Sequence, residues 1–305
     1  MSSRALPYAA VALAACAWGT WGIIIRRVEA LGAMPTALES TIVMAVITVV
    51  SGLAALRDRV PGRAPWRARA WVAWLGVGDS FNILLFFAAY KLTITVSVLT
   101  HYLTPLFVAV TAPFLLRERM TSRTAVAVAV SFAGLALMLA PSSGGASSSA
   151  VWTSAMLGAG SAVFYASNVI VNKFVVADFS TSQTMFWHGV VGTPLLAAFV
   201  PLSAWSAVDV RAAGLLAVAA VGPGALAGLA FVWGLRRMPA AHASTLTLLE
   251  PLVSILLAAA LLGEWLGLRV VGGGALILAG AVAVMTARAA PTPASSRPPP
   301  GSTHR

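Results

Sequence analysis

The sequence predicts an all-α membrane protein: ten transmembrane helices arranged as two inverted five-helix repeats. Three observations carry that prediction. The 305 residues are 59% hydrophobic and only 10% charged, against about 25% charged in a soluble domain. Ten apolar runs lie between polar breaks, most of them near the ~20 helical residues needed to cross a ~30 Å hydrocarbon core. Finally, one segment is written twice, 146 residues apart. Leu103-Thr104-Pro105-Leu106 leads to Leu115-Leu116-Arg117-Glu118, and Leu249-Glu250-Pro251-Leu252 leads to Leu261-Leu262-Gly263-Glu264. Aligned without a gap, 92–139 and 238–285 are identical at 11 of 48 positions, Arg123 with Arg269 and Gly134 with Gly280 among them.

The runs follow in order. The first, 8–25, carries Trp18-Gly19-Thr20-Trp21-Gly22. The second, 36–56, precedes the densest basic stretch, Arg57 to Arg69. The third, 70–90, contains Asp79 and is split from the fourth, 96–116, only around Lys91–Thr95. The fourth holds His101, Tyr102 and Pro105, and the fifth, 123–140, opens on Arg123. Residues 1–140 thus form the first repeat, and the Ser/Gly-rich, uncharged 141–150 reads as a flexible linker. The second repeat, 151–287, holds the runs 151–172, 183–202, 211–235, 242–262 and 268–287. Phe164-Tyr165-Ala166-Ser167-Asn168 in the sixth run matches the Trp18 segment at the repeat offset. Gly224 and Gly228 beside Pro223, and Gly272-Gly273-Gly274, predict close packing of the eighth and tenth runs. The Pro/Ser-rich 288–305 has no apolar period and reads as a disordered cytoplasmic tail.

Charge sets the orientation. With a cytoplasmic N-terminus, 15 of the 20 Lys and Arg residues fall on the inner side, as the positive-inside rule expects. Both termini are then cytoplasmic. Five spans per half is an odd number, so the second half enters the membrane inverted relative to the first.

The net charge of +11 resides in short loops between runs, which excludes a nucleic-acid-binding face as its purpose. One cysteine, Cys16, excludes an intrachain disulfide and a Cys-based metal site. Leu13-Ala14-Ala15-Cys16 has the form of a lipoprotein cleavage box, but the apolar run continues through Ile25. No phosphate-cradling Gly-x4-Gly-Lys-Ser/Thr, His-Glu-x-x-His or Gly-x-Ser-x-Gly motif occurs. We therefore expect no enzyme, no catalytic residues, no cofactor and no metal.

Ten runs in two repeats, a proline in the fourth and ninth, and an apolar run ending in Leu-Gly-Glu resemble the drug/metabolite transporter superfamily, and within it the EamA group. The resemblance covers about 8–287. The second copy, Leu249-Glu250-Pro251-Leu252 to Leu261-Leu262-Gly263-Glu264-Trp265, carries it best; in the first, Thr104 replaces the acid and Arg117 the glycine. It implies a bacterial inner-membrane permease or exporter of a small organic metabolite, with a central cavity between the repeats.

Ionisable residues inside a membrane are the first functional candidates, because each costs about 2.5–3.5 kcal/mol at a helix centre. Asp79 and Glu250 lie about 12 Å deep from the same side by the helical rise, placed to bind a cationic group or carry a coupling proton. His101 suits proton-linked chemistry, with Tyr102 beside it; His188 reads as ordinary polar packing. Trp18, Trp21 and Asn168 are candidate cavity walls, and Asn82, Tyr90, Asn172 and Trp233 weaker ones. Pro105 and Pro251 are expected to bend their helices and gate them. Glu118 and Glu264 are expected to pair with Arg119 or Arg269 at the membrane interface. The expected activity is secondary active transport of a metabolite such as an amino acid by alternating access, proton-coupled or by exchange. A lipid-carrier flippase and a scaffold without cargo are the alternatives. The expected partners are a small-molecule substrate and membrane lipids, and no protein partner is named by the sequence.

Overall fold

The computed structural model describes residues 5–58, 64–139, 147–262 and 267–287. They are helical almost throughout. Eight helical units are long and apolar enough to cross a membrane. Two further helices, Ser122–Met138 and Thr181–Ala197, have 17 residues each.

The first half starts with α1 (Ala5–Trp18) and α2 (Trp21–Leu31), one apolar unit interrupted at Gly19-Thr20. Then come α3 (Thr36–Ala55) and α4 (Trp66–Leu92). The weak division near Lys91–Thr95 is a reversal at one extended residue, Thr93. The Ser154 hydroxyl donates to the Ala89 carbonyl (3.0 Å) and lies 3.2 Å from that of Thr93, tying this reversal to the other half. The fourth run is broken into α5 (Ile94–His101) and α6 (Thr104–Leu115), and α7 (Ser122–Met138) completes the half.

In the second half, α8 (Ser148–Phe174) starts earlier than expected. Ser147 caps it by accepting the Ala150 N–H, so the end of the expected linker is helical; 140–146 lie outside the described residues. α9 (Thr181–Ala197) stops short of the expected 202, because Pro201 starts a separate short helix, α10 (Leu202–Ser206). α11 (Val210–Ala219) continues through a wide π-helical stretch, Ala220–Leu226, into α12 (Ala227–Leu235). Pro223 lies inside that stretch, where its missing N–H is accommodated by altered winding. The ninth run is broken like the fourth, into α13 (Ala240–Leu246) and α14 (Leu249–Leu262); α15 (Leu268–Thr286) ends the described fold. The tail 288–305 lies outside the described residues.

The principal pairings are reciprocal between the halves. α1 packs on α12, and α8 on α4. α5 and α6 lie on α8, as α13 and α14 lie on α1; α3 pairs with α9, and α7 with α15. The α7–α15 seam is the tightest: a Cβ on Gly273 would stand 2.4 Å from the Gly134 carbonyl oxygen, and one on Gly134 would stand 2.6 Å from the Gly273 carbonyl oxygen. The expected close packing of the tenth run is thus a backbone-to-backbone contact.

Polar contacts knit one set of loops. Lys173 bridges Glu118 at 3.0 Å and donates to the Met238 carbonyl. Glu118 also accepts the Ala240 N–H at 2.7 Å. Its ion-pair partner is therefore Lys173 rather than the neighbouring Arg119, because α8 ends beside it. Arg236 donates to the carbonyls of Val176 and Phe179, and the Ser180 and Ser182 hydroxyls donate to Asp58. Glu264 lies outside the described residues.

The expected bends at Pro105 and Pro251 take a different form. Each proline lies in the first turn of a new half-helix, where its absent N–H is not needed. The His101 carbonyl, four residues before Pro105, accepts the Thr104 hydroxyl instead (2.8 Å). The Thr247 carbonyl, four before Pro251, accepts the Glu250 N–H (3.0 Å). Both interruptions are therefore locally satisfied.

Candidate functional site

A cavity of about 400 Å³ lies between the halves, lined from the first four and the sixth to ninth helical units. Neither α7 nor α15 contributes. Asp79, Glu250, His101, Trp18, Trp21 and Asn168 all line it. Tyr102 does not: it is buried behind His101, their ring centroids 5.2 Å apart, and its side chain neighbours the Glu250 carboxyl. Asn82 and Asn172 line the cavity, whereas Tyr90 and Trp233 do not. Trp233 lies instead under the Arg237 guanidinium, 4.2 Å from its ring centroid.

A hydrogen-bond chain crosses the site. His101 Nδ1 lies 2.8 Å from Ser161 Oγ. Ser161 donates to Asn82 Oδ1 (2.7 Å) and lies 2.9 Å from the Asn82 carbonyl. Asn82 Nδ2 donates to Asp79 Oδ1 (3.3 Å), and His188 Nε2 lies 3.1 Å from Asp79 Oδ2. His188 is thus a partner of the central carboxylate and not the packing residue expected. The two positions are 109 apart in sequence, and no local pattern links them. Asn82, by contrast, lies one helical turn from Asp79, a spacing that places both on one face.

Glu250 opens α14 beside Pro251. Its position depends on Gly19, where a Cβ would stand 2.8 Å from the Glu250 carbonyl oxygen and 2.7 Å from Val253 Cβ. The α1–α2 interruption at that glycine lets the first unit press against the start of α14. Trp18 packs on Phe231, centroids 5.0 Å apart. Tyr165 stacks on His101 at 5.5 Å, their planes 16° apart.

Glu39 is a cavity-lining acid that the sequence did not single out. It lies in the first turn of α3, lines the cavity, and is 7% exposed. From sequence it reads as an interfacial acid near a span end. Its burial comes from tertiary packing, and the signal available was the general one that an acid within an apolar run is costly. Among the described residues, no cluster of three or more His, Cys, Asp or Glu side chains forms a metal site.

These features define a multi-pass helical membrane protein with a partly open, mostly apolar cavity carrying a few polar groups at the junction of two repeats. The EamA-like transporter family matches residues 5–140 and 152–286, and the chain belongs to that family. A solved crystal structure shares the fold at a TM-score of 0.76 with 21% identity, covering 93% of this chain and 99% of its own. No curated protein sequence matches the chain.

Proposed function

We propose that the chain is a secondary transporter of a small organic solute of about amino-acid size, working by alternating access. The observation that carries this reading is the cavity lined from both repeats within a member of a transporter family. Ligand sites at a repeat interface beside interrupted helices are the common arrangement in such proteins.

The chain crosses the membrane ten times in this reading, α7 and α9 spanning despite their length, with the halves inverted. The reciprocal pairings support a two-fold relation between the halves, since exchanging them returns the same contacts. The polar knitting of the loops after the second, fourth, sixth and eighth spans supports a shared face. Lys and Arg content makes that face cytoplasmic, and a bacterial inner membrane is the proposed location. The interruptions next to Pro105 and Pro251 are the hinges. Glu250 and Asp79 bind the solute or carry a coupling proton, with His101, Trp18, Trp21 and Asn168 shaping the cavity and Tyr102 supporting Glu250.

The test is solute flux through purified protein in liposomes, using solutes selected by a thermal-shift screen, since a binder raises stability by mass action. Glu250→Gln should lower flux at least tenfold or abolish its pH dependence. Wild-type-like flux with unchanged pH dependence removes Glu250 from the mechanism.

A further inference from the structure

We infer that the cavity selects a hydrogen-bond-donating organic cation, an ammonium on a flat apolar body, over anions and zwitterions. The inference concerns the solute of the proposed transport site and rests on that reading for its purpose.

The buried cavity side-chain atoms left without a partner, on Glu39, Asn168 and Asn172, are all oxygens. Glu39 Oε1 is buried without a hydrogen-bond partner, on a side chain 7% exposed and lining the cavity. Asn172 Oδ1 is likewise unpartnered, and its amide is oriented because Nδ2 donates to the Asn168 carbonyl at 2.9 Å. A buried acceptor left unpaired is costly, so such atoms mark where a ligand donor belongs.

The hydrogen-bond chain turns His101 into a third acceptor. Ser161 Oγ has one proton, and both Asn82 oxygens beside it can only accept. That proton therefore points to Asn82, and Ser161 accepts from His101 Nδ1–H. This assigns the tautomer with a bare Nε2, on a ring that lines the cavity. Asp79, by contrast, is already occupied by Asn82 and His188.

Charge and shape agree with this. The lining includes the carboxyl groups of Glu39, Asp79 and Glu250 and, among the described residues, no Lys or Arg. Apart from His188, already paired with Asp79, a ligand carboxylate or phosphate would meet no cationic side chain there. Trp18 and Trp21 line the cavity, and an ammonium or an aromatic body gains by cation–π or stacking contact with such rings. A volume of about 400 Å³ falls within the usual range for such ligands.

The experiment is calorimetric titration of the full chain in nanodiscs with four probes that share a phenyl body: phenethylamine, phenylalanine, phenylacetate and 2-phenylethanol. Phenethylamine should bind at least tenfold more tightly than the other three. Glu39→Gln should weaken phenethylamine at least fivefold while leaving 2-phenylethanol within twofold. Equal or tighter binding of the acid, the zwitterion or the alcohol overturns the inference, as does no detectable binding of the amine. The wild-type ranking alone decides this if Glu39→Gln does not fold. Liposome flux of the same four probes separates the two readings. Flux of phenylacetate without phenethylamine overturns the cation and keeps transport. Tight phenethylamine binding without flux of any probe keeps the cation and counts against transport.

Discussion

The two broken helical units, α5–α6 and α13–α14, share a scaffold and differ in everything the cavity uses. Both break after seven or eight residues, and both place a proline in the first turn of the second piece. Around the first break, α8 supplies Ser161 and Tyr165, which hold His101 by a hydrogen bond and a stacked ring. At the repeat offset, α1 and the residue after it supply Ala15 and Gly19 around the second break. They offer no polar group and only the room for close approach to Glu250. Thr104, matched to Glu250, is fully buried with its hydroxyl turned back on the backbone. Duplication thus preserved the interruption, while polar chemistry diverged according to which neighbour filled the groove.

Moving the acid between the two breaks should have the largest effect. Thr104→Glu should bury an unpaired carboxyl at a helix break, lowering stability by about 2.5–3.5 kcal/mol. The melting temperature in detergent should fall sharply, whereas Glu250→Thr should keep the fold and lose flux. A Thr104→Glu protein as stable as wild type would show that the two positions are equivalent.

Gly19→Val tests the second break from its neighbour. Its Cβ meets Val253 and the Glu250 carbonyl below contact distance, and overpacking of this kind costs about 1–3 kcal/mol. Flux should fall with the melting temperature, while a valine at Gly214, where a Cβ meets nothing within 4 Å, should leave both nearly unchanged.

Ser161→Ala tests the first break in the same way. It removes the partner of His101 Nδ1 and the donor to Asn82, at about 1–3 kcal/mol for a buried group left unsatisfied. Solute affinity should drop several-fold in a binding titration, and Ser161→Thr should recover part of it if the hydroxyl is what matters.

The smallest effect lies just beyond the first break's helix. Arg117 has a left-handed backbone, φ 57°, at the position the repeat matches to Gly263. A side chain there costs about 1–2 kcal/mol, so Arg117→Gly should raise the melting temperature slightly and leave flux unchanged.

The apolar runs, the duplication and the two intramembrane acids, Asp79 and Glu250, are legible in the sequence, because lipid allows so few charges that each stands out. The Arg117/Gly263 mismatch was visible too, although only the backbone angle explains it. The interruptions at 102–103 and 247–248 were hidden because apolar residues continue through them. A lipid-facing run and a broken one have the same composition when the freed carbonyls find partners nearby. Glu39 and the Asp79–His188 pair were hidden for another reason: both depend on which helices become neighbours, and the α3–α9 and α4–α9 packing has no local signature.

The glycine seam between α7 and α15 constrains how this protein can change over time. Each glycine faces the other's carbonyl so closely that neither can gain a methyl group unless the opposing backbone retreats. Change on one side therefore requires simultaneous accommodation on the other. A gene duplication that freed the cavity walls to diverge left this helix pair locked in step.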